Sequence, residues 1–90
     1  MGDEKIKFVL AAYNGGYGHI MDAMRLAEKN GKNPRIWEDN VDYYVLNKSN
    51  PRFYNDPVVM HGYMRGYEPY NYVNDIINRY EHYKNVLTQD

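Results

Sequence analysis

Residues 11–19 read AAYNGGYGH, and this stretch decides how the chain folds. It ends a short apolar run, residues 6–13, whose two adjacent alanines favour a helix over a strand. Gly15 and Gly16 interrupt that helix, and a second helix begins at about Tyr17. The stretch therefore predicts a tight corner between two helices.

The segment after this corner is clearly amphipathic. Its polar residues lie mostly opposite its apolar ones, and Asn30-Gly31 ends it with a glycine C-cap. The apolar face comprises Tyr17, Ile20, Met21, Met24 and Ala27, and the polar face comprises Asp22, Arg25 and Glu28. We therefore expect Asp22 on the polar face of this helix.

Proline marks the later helix starts. Asn33-Pro34 predicts a helix to about Asn47 with Trp37 buried on its apolar stripe. Asn50-Pro51 and Asp56-Pro57 predict one short turn and then a helix of about two turns through Met64.

The last helix has the most regular pattern. It is predicted to start at Pro69, to span roughly residues 68–87 and to be the longest. Its apolar face comprises Tyr72, Val73, Ile76, Ile77, Tyr80, Tyr83 and Leu87. Five helical segments without a hairpin signal predict an all-α fold, and 90 residues allow a single domain at most.

Composition excludes several classes of function. The net charge of −1 offers no broad basic face for nucleic acid, and the absence of cysteine excludes disulfides and thiolate chemistry. No apolar run is long enough for a membrane span, and residues 1–7 lack a signal-peptide core, so we expect a soluble, untargeted chain. The three histidines lie on different segments, so we expect neither a metal site nor a cofactor.

Tyrosine is unusually frequent, with 11 residues, whereas Val, Ile, Leu and Phe together number only 18. We therefore expect a core built partly from tyrosine. Six of the tyrosines cluster around two loop regions with Asn14 and Asn71 nearby, an arrangement that suits the faces of sugars. These six are Tyr13, Tyr17, Tyr63, Tyr67, Tyr70 and Tyr72. A tyrosine-rich core and a carbohydrate cleft both fit this pattern.

The glycines of residues 11–19 could also cradle a phosphate before the second helix. No strand precedes them and no Lys-Ser/Thr pair follows, so the helix corner is the better interpretation.

Two motifs resemble a known enzyme family. AAYNGGYGHIMDA is similar to the Ala-Tyr-Asn-x-Gly motif of the SLT-type lytic transglycosylases of peptidoglycan, whose domain is goose-lysozyme-like. EPYNYVNDIINRYEHY, residues 68–83, resembles the late motif of that family. The intervening sequence resembles the membrane-bound lytic murein transglycosylase F branch, so the resemblance covers about residues 6–85.

The resemblance implies roles for five residues. Ala12, Tyr13 and Asn14 match the motif that lines the glycan cleft of the family. Tyr72 matches the tyrosine beside the catalytic acid and would support that acid, and Glu68 matches the acidic residue that opens the late motif. The implied partner is a peptidoglycan glycan strand, and the implied location is the bacterial cell envelope, either periplasmic or associated with the outer membrane. If Tyr13 and Tyr72 share one cleft wall, their side chains should converge.

One departure from the family pattern limits this assignment. The family places a catalytic Glu-Ser motif and a Gly-Leu-Met-Gln motif before Ala-Tyr-Asn, and this chain contains neither. We therefore expect residues 1–90 to be a partial lysozyme-like domain, its C-terminal half, that is inactive alone and self-associates through exposed core. Whether the chain acts as an enzyme stays open, and the alternative is a non-catalytic helical module that binds glycan or protein.

Overall fold

The computed structural model describes residues 2–88, and this part of the chain contains five α-helices and no strand. The helices are α1 (Gly2–Gly15), α2 (Tyr17–Lys29), α3 (Asp42–Leu46), α4 (Pro51–Tyr54) and α5 (Tyr67–Leu87). A π-helical turn, Trp37–Val41, leads into α3, and a 3-10 turn, Asn47–Ser49, follows it. The predicted all-α class is confirmed.

The boundaries of the long helices follow the sequence signals. Gly16 alone separates α1 from α2 and has a φ of 99°, which glycine adopts without strain. Gly31, at a φ of 81°, follows α2. Helix α5 has 21 residues and is the longest, as predicted. No helix within residues 2–88 is both long enough and apolar enough to cross a membrane.

The core lies where α1, α2, α3 and the first half of α5 meet. Trp37 is 2% exposed, which confirms its predicted burial, and its Nε1 donates a hydrogen bond to Asn74 at 3.2 Å. Aliphatic side chains fill most of the remaining core. Tyr44 is the one buried tyrosine within residues 4–88. Within residues 4–88 tyrosine therefore contributes Tyr44 to the buried core, with Tyr70 packed against it, whereas most of the phenols stay at the surface, where water can solvate their hydroxyls.

The predicted helix from Pro34 begins later than expected. Asn33 accepts a hydrogen bond from the amide of Arg35 at 2.9 Å and so closes a turn instead of capping a helix. Regular α-helix starts only at Asp42, because Asp39 has a φ of 61° and Glu38 is also non-helical.

The predicted helix over residues 57–64 is absent. Met60 and His61 donate their amide hydrogens to the carboxylate of Asp22 on α2, at 2.8 and 2.9 Å. The carbonyl of Val58 accepts a hydrogen bond from Arg25 of α2 at 3.0 Å. Because side chains of α2 bind these two amides and this carbonyl, the groups are not available for helical hydrogen bonds, and the segment forms turns instead.

Candidate functional site

Tyr13 and Tyr72 stack on each other, so the predicted convergence of their side chains is confirmed. Their ring centroids lie 6.3 Å apart with an interplanar angle of 29°. Tyr13 lies in the last turn of α1 and is 82% exposed, whereas Tyr72 lies near the start of α5 and is half-buried. The pair therefore forms an aromatic surface in which the ring of Tyr72 is partly buried and the ring of Tyr13 is exposed to solvent.

Glycine fixes the two helix ends that carry this pair. A Cβ added at Gly15 would lie 2.9 Å from Cγ of Pro69 and 3.1 Å from Sδ of Met64. The end of α1 therefore touches the start of α5 with no room for a side chain. The turn before α5 is equally tight, because a Cβ at Gly66 would overlap the carbonyl oxygen of Val45.

The other three predicted site residues differ in exposure. Asn14 is exposed directly after Tyr13. Ala12 is half-buried and packs against the core. The Glu68 side chain is 54% exposed, and its carboxylate lies 3.5 Å from the guanidinium of Arg65. Two of the three therefore present polar groups at the surface, while Ala12 faces inward.

More tyrosines lie at the surface on neighbouring segments. Tyr17 is 72% exposed, and Tyr63 and Tyr67 are about half exposed. Tyr63 meets Tyr54 edge-to-face, with centroids 5.8 Å apart. Of the two interpretations that the sequence left open, exposure favours surface recognition over core packing for these rings.

No local pattern of residues indicated the buried charge cluster around Asp22. Both Asp22 and Lys48 are 0% exposed, and Lys48 donates to Asp22 at 2.7 Å. Asp22 also pairs with Arg25 and accepts the amides of residues 60 and 61. Burial raises the pKa of Asp22, but the hydrogen bonds from Lys48, the two amides and Arg25 outweigh it and lower the pKa to about 2. The helix face on which Asp22 was predicted is therefore covered at this residue by the segment after α4.

Two histidines from different segments of the sequence are neighbours in space. The rings of His19 and His61 are 6.0 Å apart, and His61 packs so closely on Gly18 that an added Cβ would lie 2.6 Å from its Nε2. Nδ1 of His19 is buried and has no hydrogen-bond partner among the described residues. Burial, followed by the charge of Lys48, lowers the pKa of His19 and so favours its neutral form.

Comparison with known proteins found curated relatives of this chain. No family model matches the sequence. The chain is 48% identical over 79 residues to the membrane-bound lytic murein transglycosylase F of Yersinia pestis (strain Pestoides F). The proteins of the same name are 47% identical in Yersinia enterocolitica and 46% identical in Aeromonas hydrophila, again over 79 residues.

These matches cover 88% of this chain but only 15% of each relative. The aligned region includes nearly all of the chain, so it extends well beyond any single short motif. The stacked Tyr13 and Tyr72 bring the two motifs together in space. The chain therefore belongs to the SLT-type lytic transglycosylase family and corresponds to a segment of its much longer relatives.

Proposed function

We propose that this chain forms one wall of the glycan cleft of a peptidoglycan lytic transglycosylase. Such an enzyme cleaves the β-1,4 bond between N-acetylmuramic acid and N-acetylglucosamine without water and leaves a 1,6-anhydro-N-acetylmuramic acid end. The observation that carries the proposal is the exposed stack of Tyr13 on Tyr72, with Asn14 beside it.

The stack has the properties of a sugar platform. A sugar ring offers CH groups to an aromatic face, while its hydroxyl and acetamido groups need directional polar partners. Tyr13 offers an open aromatic surface, and Asn14 supplies an exposed amide in the next position. The close contact of Gly15 with Pro69 keeps the platform rigid, which lowers the entropic cost of binding.

The chemistry implied by the family needs one carboxylic acid. That acid protonates the glycosidic oxygen as the C1–O bond breaks, and its carboxylate then accepts the proton of the 6-hydroxyl as this oxygen bonds to C1. The Tyr72 hydroxyl would hold the carboxyl group in position. Glu68 is a poor candidate for the acid, because a proton-donating carboxyl is usually held in a water-poor pocket and Glu68 is exposed beside Arg65.

Glycan binding is the direct test of the platform. In an NMR titration with chitin oligosaccharides we expect saturable chemical-shift changes at Tyr13, Asn14 and Tyr72. Tyr13→Ala should weaken binding by about tenfold, because stacking of one ring contributes on the order of 1 kcal/mol or more. Tyr83→Ala is a matched control, since Tyr83 is also well exposed but lies far along α5. No shift at millimolar sugar, or equal losses in both variants, would contradict the proposed platform.

An activity assay of this chain distinguishes a segment that forms only one cleft wall from a complete enzyme. We expect this chain, incubated with purified sacculi, to release no anhydromuropeptides above background by mass spectrometry. Release of these products would overturn this expectation and would make Glu68 or another internal carboxylate the acid. Tyr72→Phe can also be tested in a longer protein that contains this segment. If the segment binds glycan but this variant loses no activity, the alternative of a non-catalytic module is favoured.

We also propose a location in the cell envelope and self-association. The relatives are named membrane-bound, which supports the location. An apolar groove between α1 and α2 supports self-association, because it is open and lies among exposed apolar side chains such as Val9 and Tyr17. Its lining comprises Lys5, Phe8, Val9, Ala12, Tyr17, Ile20, Met21 and Met24.

A further inference from the structure

The covering segment, residues 57–64, is attached to α2 by hydrogen bonds to its backbone. The carboxylate of Asp22 accepts the amides of Met60 and His61 at 2.8 and 2.9 Å. The side chain of Met60 is 75% exposed, so water reaches the outer side of this segment. Because the segment has turns and no regular helix, its position depends on these bonds to a neighbouring element.

The covering segment also lies against the side chain of His19 on α2. The ring of His61 is 6.0 Å from the ring of His19 and packs on Gly18, where an added Cβ would lie 2.6 Å from its Nε2. Within the described part of the chain, Nδ1 of His19 is the one buried side-chain nitrogen or oxygen without a hydrogen-bond partner. The closed segment therefore leaves this nitrogen away from water and unpaired.

A proton on His19 does not fit this closed arrangement. A neutral imidazole leaves one ring nitrogen without a proton, whereas the charged ring carries a proton on both and needs an acceptor for each. Protonated Nδ1 would be a buried donor without an acceptor, which is costly. The closed form therefore selects the neutral ring.

The charges around His19 act in the same direction. Lys48 faces the ring from the 3-10 turn, His61 from the covering segment and Asp22 from α2. Burial lowers the pKa of His19 most, the charges of Lys48 and His61 lower it further, and the charge of Asp22 opposes them. The carboxylate of Asp22 is already bonded to Lys48 and to the two amides of the segment, so it does not neutralise a charged His19.

We propose that the covering segment is a proton-controlled latch, which closes on neutral His19 and opens when His19 binds a proton. In the open form, water accepts the hydrogen on Nδ1, and the amides of Met60 and His61 leave Asp22. Met64 ends the segment, and its Sδ would lie 3.1 Å from a Cβ added at Gly15, so opening also loosens the contact at the end of α1. The latch itself does not depend on glycan binding at the platform.

The test is amide hydrogen exchange, followed by NMR at pH 7.5 and 5.5 and corrected for the intrinsic exchange rate at each pH. We expect the protection of the Met60 and His61 amides to fall by about three- to tenfold at the lower pH. About tenfold is the upper limit, because an open-state histidine with a pKa near 6.5 becomes about 90% charged at pH 5.5. Unchanged protection of both amides would overturn the proposal.

Local opening must be distinguished from unfolding of the whole domain. The amide of Leu26, within α2 and fully buried, reports on global unfolding. We expect Met60 and His61 to be at least about tenfold less protected than Leu26 and to exchange at a rate that low urea does not change, because a local opening exposes little surface. Equal protection of the three amides, with equal urea dependence, would show that no separate latch exists.

Variants identify the group that binds the proton. His19→Gln should give the same protection at both pH values, whereas His82→Gln, on the exposed part of α5, should keep the full response. His61→Gln should keep most of it, because the unpaired nitrogen belongs to His19. A full response in His19→Gln, or a response lost in His61→Gln, would overturn the proposal.

The unaltered chain supplies an independent measurement if His19→Gln disturbs the closed form. The ring signals of His19 should titrate with a midpoint below 6.5, over the same pH range in which the Met60 and His61 amides lose protection. A midpoint at or above 6.5 would mean that the closed form does not oppose the proton, and it would overturn the latch.

Discussion

Asp22 and Lys48 form a fully buried ion pair between α2 and the 3-10 turn after α3, with Nζ 2.7 Å from Oδ2. Neither side chain is exposed. The pair is tolerated because the carboxylate also accepts bonds from Arg25 and from two backbone amides, so no polar group of Asp22 is left unsatisfied. One side chain thus joins three parts of the chain.

Removal of the charge on Asp22 should strongly lower the free energy of unfolding of the domain. Asp22→Asn leaves Lys48 as a buried charge without its counter-ion, which costs about 3–5 kcal/mol, against a total stability of about 5–15 kcal/mol for a typical domain. Urea unfolding measures this loss. Asp75→Asn, on the exposed side of α5, should change the stability little.

The double variant Asp22→Asn with Lys48→Met should recover part of that loss, because it removes the unpaired charge as well. A loss below about 1 kcal/mol for Asp22→Asn alone would contradict the central role of the pair.

Mild acid should destabilise the fold through His19. Because burial lowers its folded-state pKa below the usual 6.5, the unfolded chain binds the proton first as the pH falls. The free energy of unfolding should therefore decrease from pH 6.5 downward until the lowered pKa is reached, and then level off with respect to this group. His19→Gln should flatten that decrease, whereas His82→Gln on exposed α5 should not. An unaltered pH profile in His19→Gln would contradict the assignment.

Alanine at Gly66 should be far more damaging than alanine at Gly31. The new Cβ would overlap the carbonyl oxygen of Val45 and lie 2.6 Å from that of Leu46, so backbone must move, at a cost of about 2–3 kcal/mol or more. Gly31 has a positive φ but open space around it, so Gly31→Ala should cost only about 1 kcal/mol. Equal midpoints in urea for the two variants would show that the contact at Gly66 relaxes easily.

Self-association should depend on the groove between α1 and α2. We expect light scattering to show a concentration-dependent dimer, because open apolar surface is removed from water when two copies meet. Val9→Glu, on the exposed rim, should shift the equilibrium to monomer. Val86→Glu, at a similarly exposed site on α5, is the matched control. If Val86→Glu abolishes the dimer and Val9→Glu does not, the interface lies elsewhere.

The amino-acid sequence by itself determined α1, α2 and α5, the glycine corner and the burial of Trp37. These features depend on helical periodicity, caps and turn residues, which act over a few neighbouring positions. The resemblance of the two motifs also predicted that the side chains of Tyr13 and Tyr72 converge, and the stacked rings confirm that they do. Whether those residues bind glycan remains a prediction.

Only the tertiary structure decided the burial of Asp22 and Lys48. Asp22 lies 26 positions from Lys48 and 38 from Met60, and nothing in the local pattern of α2 marks it as a buried acceptor. The same long-range bonds kept residues 57–64 from forming the helix that Asp56-Pro57 suggested. Local rules describe the hydrogen bonds that a segment can make with itself, whereas the partners that replace those bonds come from distant elements that meet only when the chain folds.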